Sequence, residues 1–386
     1  MKIKVGILGL PNVGKSTLFN ALVQKSIAHA ANFPFCTIDP NVAPIPVPDP
    51  YLERLGRVAQ SKAVKPATME WVDVAGLAKG AHRGEGLGNR FLASLRECDA
   101  ICHIIRAFED PNVVHVDGQV DPVSDANVIG LELILADLAH VERRLEKTTC
   151  SGVERATLES IAESLEKGIP ARDLQLSKED LLSIKSMGLL TLKPFLYVFN
   201  VDEVDFCYRE QALETARERL QLIPYCDLET KDNFTIVSAK MEANLGEKPR
   251  ETQLSYLQDM GMEFEKDDQL EGIRSYNVMP TMVQRLLNLG LVYTGPGVAS
   301  SRSQTTKAYM IDSGGGASTG RATTAHDFSG RLHGDIRKGF TRAEITKAEA
   351  LLKYDSYVAA KDAGIVRTEG RDYILQPDEV VYIKWK

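Results

Sequence analysis

No apolar run in the 386-residue chain is long enough to span a bilayer, which excludes a helical membrane protein. The six cysteines, at 36, 98, 102, 150, 207 and 226, form no Cys-x-x-Cys pair. They are expected as reduced, mostly buried thiols in a cytosolic protein. A phosphate-loop motif begins at Gly9, leaving no room ahead of it for a cleavable export signal. No internal repeat is present, which excludes a solenoid or propeller. Nor is the chain strongly basic, with a net charge of −7, so its whole surface is not built for nucleic acid. The charge is nevertheless uneven. Residues 301–386 carry 14 Lys and Arg against 11 Asp and Glu, a small surplus of cations on an otherwise acidic chain.

What is present is a set of motifs in a fixed order. Gly9-Leu10-Pro11-Asn12-Val13-Gly14-Lys15-Ser16 follows the apolar run Val5-Gly6-Ile7-Leu8 and precedes a helical pattern. This is the phosphate loop of a nucleoside triphosphatase: its backbone N–H groups converge on phosphate oxygens, Lys15 reaches the β/γ-phosphates and the Ser16 hydroxyl holds Mg²⁺. Asp73-Val74-Ala75-Gly76 closes a second strand, where the aspartate supports Mg²⁺ through water and the glycine amide meets the γ-phosphate. Thr37 lies between these two motifs, where a switch threonine closes onto the metal. Cys36 sits in the same loop and is expected to be a bystander rather than a redox group.

Two further loops bear on the base. Asn200-Val201-Asp202-Glu203 follows a fourth strand, and Ser238-Ala239-Lys240 ends a fifth. A guanine-specific site carries Asn-Lys-x-Asp at the first position; here Val201 replaces the lysine and Glu203 the aspartate. Adenine lacks the N1–H and the 2-amino group that such a carboxylate accepts, so the altered loop weakens the case for guanine.

Strands are expected at 2–8, 67–72, 99–108, 193–200 and 233–238, separated by helical patterns, giving a mostly parallel sheet covered on both faces. Leu131, Ile134, Leu138, Val141 and Leu145 recur at helical spacing, as do Leu158, Ile161 and Leu165 after a Cys-Ser-Gly break. They predict an antiparallel, coiled-coil-like hairpin over 126–192, more suited to packing within one chain than to a dimer seam. Residues 273–294 read as helical, and 281–301 as a connector. From 302 onward a small α+β domain is expected, with a helix near 342–354, strand-like runs at 373–375 and 380–383, and a flexible Gly/Ser loop at 313–320.

The ordered motifs resemble the translation-factor-type GTPases, and the longer strings Gly-Leu-Pro-Asn-Val-Gly-Lys-Ser-Thr, Asn-Phe-Pro-Phe-Cys-Thr-Ile-Asp-Pro-Asn and Arg106-Ala107-Phe108-Glu109-Asp110 resemble the YchF subfamily of the Obg family, the Obg-like ATPases. The resemblance runs over nearly the whole chain. It implies an α/β P-loop G domain over 1–125 and 193–280, the helical insertion, and a C-terminal β-grasp (TGS) domain over 302–386. In Leu332-His333-Gly334-Asp335-Ile336-Arg337-Lys338-Gly339-Phe340 the one departure from the family's pattern is Ile336 for phenylalanine. The resemblance further implies a cytosolic, ribosome-associated Mg²⁺-dependent ATPase, monomeric and preferring ATP to GTP, with entry into the nucleus left open. By position, Asn12, Val13, Gly14, Lys15, Ser16 and Thr17 wrap the phosphates, Ser16 and Thr37 ligate Mg²⁺, and Asn200 and Val201 contact the base, with Glu203, Ser238 and Ala239 nearby.

Ras-like enzymes orient the attacking water with a glutamine after Asp-x-x-Gly. Here that residue is Leu77, which has no polar atom to do so. His82 and His115 are the candidates to replace it, and the family pattern assigns catalysis to the position of His115. Asn12 is a candidate K⁺ ligand. Two other readings stay open: a GTP-specific Obg-type switch, and a module in which nucleotide gates an RNA or protein surface while hydrolysis is incidental. A nucleotide kinase is disfavoured, because no Arg-rich lid is evident.

Overall fold

The computed structural model describes residues 2–30, 41–73, 87–115, 118–150, 152–225, 233–246, 248–262, 268–295, 305–314 and 322–386. Thr37, Cys36, Leu77, His82 and most of the Gly/Ser loop lie outside them. Twelve strands are described: β1 Lys4–Leu8, β2 Val42–Pro46, β3 Ala63–Lys65, β4 Thr68–Asp73, β5 Ala100–Arg106, β6 Phe195–Asn200, β7 Phe234–Val237, β8 Leu289–Thr294, β9 Thr305–Asp312, β10 Phe340–Lys347, β11 Arg367–Glu369 and β12 Glu379–Trp385. Among the described residues no helix is long and apolar enough to cross a membrane.

The chain divides into two compact units. The larger comprises Lys4–Ile45 and Glu70–Met282. Its sheet has the order β2-β4-β1-β5-β6-β7. Every residue of β5 and β6 is buried, as expected of central strands covered on both faces, and so is every residue of the edge strand β7. The pairs β4/β1, β1/β5, β5/β6 and β6/β7 are parallel. Five strands therefore end at one edge, and the loops after Leu8, Asp73, Arg106, Asn200 and Val237 all leave from it. Open α/β sheets bind ligands at this edge.

Between β5 and β6 the chain forms the helices Pro122–Leu145 and Gly152–Glu166. Asp121 caps the first, accepting from the backbone N–H of Val123 and Ser124, with Pro122 at the first helical position; both features favour helix initiation. Ile134, Val141, Leu158, Ile161 and Leu165 form one core, with Leu138 and Leu145 packed on it. Leu131 departs from the heptad expectation and is 43% exposed. The helix turns it off the seam, and the core is completed instead by Ala171, Ile184, Met187 and Leu189 from the return segment.

The smaller unit is built chiefly from Pro46–Met69 and Val283–Lys386. Its sheet has the order β11-β10-β12-β8-β9-β3. Residues 46–69, which the motif order runs on with the first domain, join this unit because β3 pairs in parallel with β9, Ala63 opposite Thr305. The span 281–301 contains β8, antiparallel to β9. The helix expected near 342–354 begins as strand: β10 pairs with β12 from Phe340 to Lys347, leaving only Ala348–Leu351 helical. Ala and Glu favour helix locally, but burying Ala343 and Ile345 against Val381 and Ile383 outweighs that propensity.

Candidate functional site

The phosphate loop joins β1 to the helix Lys15–Ala30. Two of its residues take left-handed backbone, Asn12 at φ 61° and Gly14 at φ 95°. A side chain at 14 would also run into the Asn200 amide, so both conformation and space require glycine. Lys15 is buried and donates Nζ to the Leu10 carbonyl at 2.7 Å. Burial lowers its pKa to about 8, while the Asp73 carboxylate pulls the other way. Ser16 and Thr17 are exposed at the start of the helix, within reach of a ligand.

Asp73 ends β4 and is fixed by its backbone N–H to the Asn41 carbonyl at 2.8 Å. Its Oδ1 is buried and has no hydrogen-bond partner among the described residues. A buried carboxylate oxygen without a donor is costly. A cation or its bound water would remove that cost, and the exposed Ser16 hydroxyl would add a second hard oxygen. This donor set fits Mg²⁺.

Asn200 joins three loops. Its Nδ2 donates to the Val13 carbonyl at 2.9 Å and its Oδ1 accepts the Ala239 N–H at 2.9 Å. Its backbone carbonyl accepts the Ala107 N–H. The base-side loops are thereby tied to the phosphate loop. Val201 is buried beside them. Ser238 is buried and caps the helix Ala239–Leu245, accepting the Met241 N–H, so its hydroxyl serves the helix. Glu203 is also engaged within the protein: its Oε1 accepts from Tyr256 and Asn244, and Lys240 pairs with Oε2.

The loop after β5 lies against the phosphate loop, where Asn12 Nδ2 donates to the Val114 carbonyl at 3.1 Å. Arg106, buried at the end of β5, shapes this loop by donating to the carbonyls of Phe108 and Val113 at 3.2 and 2.9 Å. His115 follows Val114 in this loop. Its Nε2 lies 2.9 Å from Asp125 Oδ2, with the two side chains only 6% and 5% exposed. A carboxylate only accepts, so Nε2 carries the proton and Asp125 sets the tautomer. Asp125 stands in the first turn of the Pro122–Leu145 helix. The motifs include Arg106 only as part of a family string, with no role, and leave out Asp125. An arginine closing a fully buried strand, and an acid in the first turn after a loop histidine, were the signals available.

A family model described as 50S ribosome-binding GTPase matches residues 4–149. A second, for the YchF GTPase C-terminal region and described as a protein of unknown function, matches residues 318–386. The chain is 39% identical to the ribosome-binding ATPase YchF of Haemophilus influenzae, covering 100% of this chain and 99% of that one. It is 38% identical to the protein of that name from Bacillus subtilis, with 100% of both covered. This chain belongs to the YchF family of Obg-like ATPases. Obg-like ATPase 1 of Caenorhabditis elegans is 33% identical over 99% of this chain and 92% of its own. The solved YchF GTPase of Schizosaccharomyces pombe superposes with a TM-score of 0.77 at 30% identity, covering 99% of this chain and 98% of that one. The α/β P-loop fold and nucleoside triphosphatase class read from the motifs agree with these relatives.

Lys15 gives YchF-type chemistry a pH signature here. The phosphate contact expected of Lys15 needs the ammonium form, and in the free protein that form is lost as pH rises through about 8. ATP affinity is therefore expected to be flat below about pH 8 and to fall above it, with proton uptake on binding. Titration calorimetry in buffers of different ionisation enthalpy reads this directly. A flat affinity from pH 7 to 9.5 would refute it.

Proposed function

We propose that this YchF-family chain is a Mg²⁺-dependent ATPase, preferring ATP to GTP, that works as a slow nucleotide-controlled switch on the ribosome in the cytosol. The observation that carries the catalytic half is the Asn12–Val114 hydrogen bond, which sets the His115 loop beside the phosphate loop. Asn12 to Thr17 bind the triphosphate through backbone N–H groups at a helix N-terminus, with Lys15 on the β/γ-oxygens. Ser16 and Thr37, with Asp73 through water, hold Mg²⁺, which neutralises phosphate charge when bound. His115, oriented by Asp125, positions the water that attacks the γ-phosphorus as the bond to the β–γ bridging oxygen breaks, giving ADP and inorganic phosphate. Leu77 cannot perform that step.

The base side favours ATP because Val201 offers an apolar contact where guanine-specific sites carry lysine. The ribosomal role rests on the names of the relatives and on the C-terminal unit, read as a TGS domain, where Arg337 and Lys338 are exposed. Paired ATP and GTP titrations, with co-sedimentation on ribosomes in each nucleotide state, test the whole reading. Tighter GTP binding, or no association in any state, would defeat it. Asn12 is also proposed to ligate K⁺ and supply charge where an arginine finger would act, which is worth about 10³–10⁵ in rate where such fingers occur. Turnover is expected to rise in K⁺ over Na⁺ buffer. Equal rates would remove the ion from the mechanism.

A further inference from the structure

The base-side loops carry a cluster that the phosphate chemistry does not use. Glu203 opens the helix Glu203–Cys207, where guanine-specific loops place the aspartate that accepts N1–H and the 2-amino group. Here Oε1 accepts the Tyr256 hydroxyl at 2.6 Å and Asn244 Nδ2 at 3.0 Å. Lys240 Nζ stands 3.2 Å from Oε2. The side chain is 14% exposed. Burial opposes ionisation, but the Tyr256, Lys240 and Asn244 donors outweigh it and hold the carboxyl below its ordinary range. Burial and the neighbouring carboxylate push the Tyr256 phenol up to about 12, so it stays a donor at any physiological pH.

A carboxylate has about four acceptor sites; three donors converge on this one, leaving one where guanine's N1–H and 2-amino group need two. Tyr256 comes from the helix Arg250–Asp259 and Asn244 from the helix Ala239–Leu245; neither residue is part of a nucleotide motif. We propose that Tyr256, assisted by Asn244, is a specificity-determining residue: it occupies the Glu203 carboxylate and so denies guanine its acceptor. Adenine presents a lone pair at N1 and no 2-amino group, so it loses nothing. The inference deepens the ATP preference proposed above and rests on it. Tyr256 acts through Glu203 and is a positioning residue.

The test uses the full-length protein with Tyr256→Phe, Tyr256→Phe/Asn244→Ala, and each combined with Glu203→Ala. Equilibrium Kd values are measured for ATP and GTP. Freeing a charged acceptor for a base donor is expected to tighten GTP binding about tenfold, with ATP affinity within twofold and the gain abolished by Glu203→Ala. An unchanged GTP Kd in both Tyr256 variants would overturn the proposal. So would parallel losses of ATP and GTP binding, which mark a merely structural contact. The ATP preference itself is read from the wild-type ratio. A wild type that binds GTP as tightly as ATP defeats that reading, whereas the proposal is judged by the change in GTP affinity on substitution.

Discussion

His115→Ala is expected to lower kcat for ATP hydrolysis by about 10²–10⁴-fold, the range typical of a positioned acid–base group, with ATP affinity changed less than threefold. The split follows from the site. Phosphate binding is proposed for residues 12–17, whereas the Asn12 tie to the His115 loop runs through the Val114 carbonyl, which remains in the variant. A residue that acts only on the attacking water changes kcat without changing ground-state binding. Asp125→Asn is a second measure of the same device. The carboxamide can still meet Nε2, but it no longer selects the tautomer, because it presents a donor as well as an acceptor. A smaller fall in kcat is expected, with an altered pH–rate profile. Single-turnover hydrolysis at saturating ATP is the measurement. Wild-type turnover in His115→Ala would remove the residue from catalysis and leave the nucleotide-gated binding module as the better account.

Arg274→Met is expected to destabilise the larger unit by about 3–5 kcal/mol, the usual cost of stripping one partner from a buried ion pair. Arg274 and Glu242 are each 2% exposed, with Nη2 2.8 Å from Glu242 Oε2. Nε donates to the same oxygen at 2.9 Å, and the Ser275 N–H donates to Oε1 at 2.6 Å. Removing the guanidinium leaves the Glu242 carboxylate buried with one backbone donor. The thermal midpoint of that unit should fall on the order of 10 °C. Arg274→Met/Glu242→Leu should recover most of the loss, because it removes the uncompensated charge. Nucleotide affinity should weaken in the single variant, since Glu242 lies in the helix that begins at Ala239, whose N–H is held by Asn200. A midpoint within 2 °C of wild type would show that the pair is not structural.

The phosphate loop was legible because its chemistry is local. Gly14, Lys15 and Ser16 work through backbone N–H groups and side chains within one turn of chain, so their order in sequence is their order in space. The five parallel strands of the larger sheet were legible for a related reason: largely buried strands read as short runs rich in apolar residues. The hairpin followed from helical spacing, although Leu131 shows that periodicity places a face only approximately. The Phe340–Lys347 strand was misread because Ala and Glu favour helix when nothing else is known.

Sequence alone determined that this chain binds a nucleoside triphosphate on a P-loop sheet, and that its base loop lacks the lysine and aspartate of a guanine site. Tertiary structure decided what those residues are used for. Asn12 meets Val114, Asn200 bridges Val13 to Ala239, and Glu203 is claimed by Asn244 and Tyr256. Only folding brings 46–69 into the C-terminal unit through the β3–β9 pairing. These are contacts between residues tens to hundreds of positions apart. A hydrogen bond of that kind leaves no period or spacing in the chain, because it depends on where two loops leave the sheet and not on what stands between them.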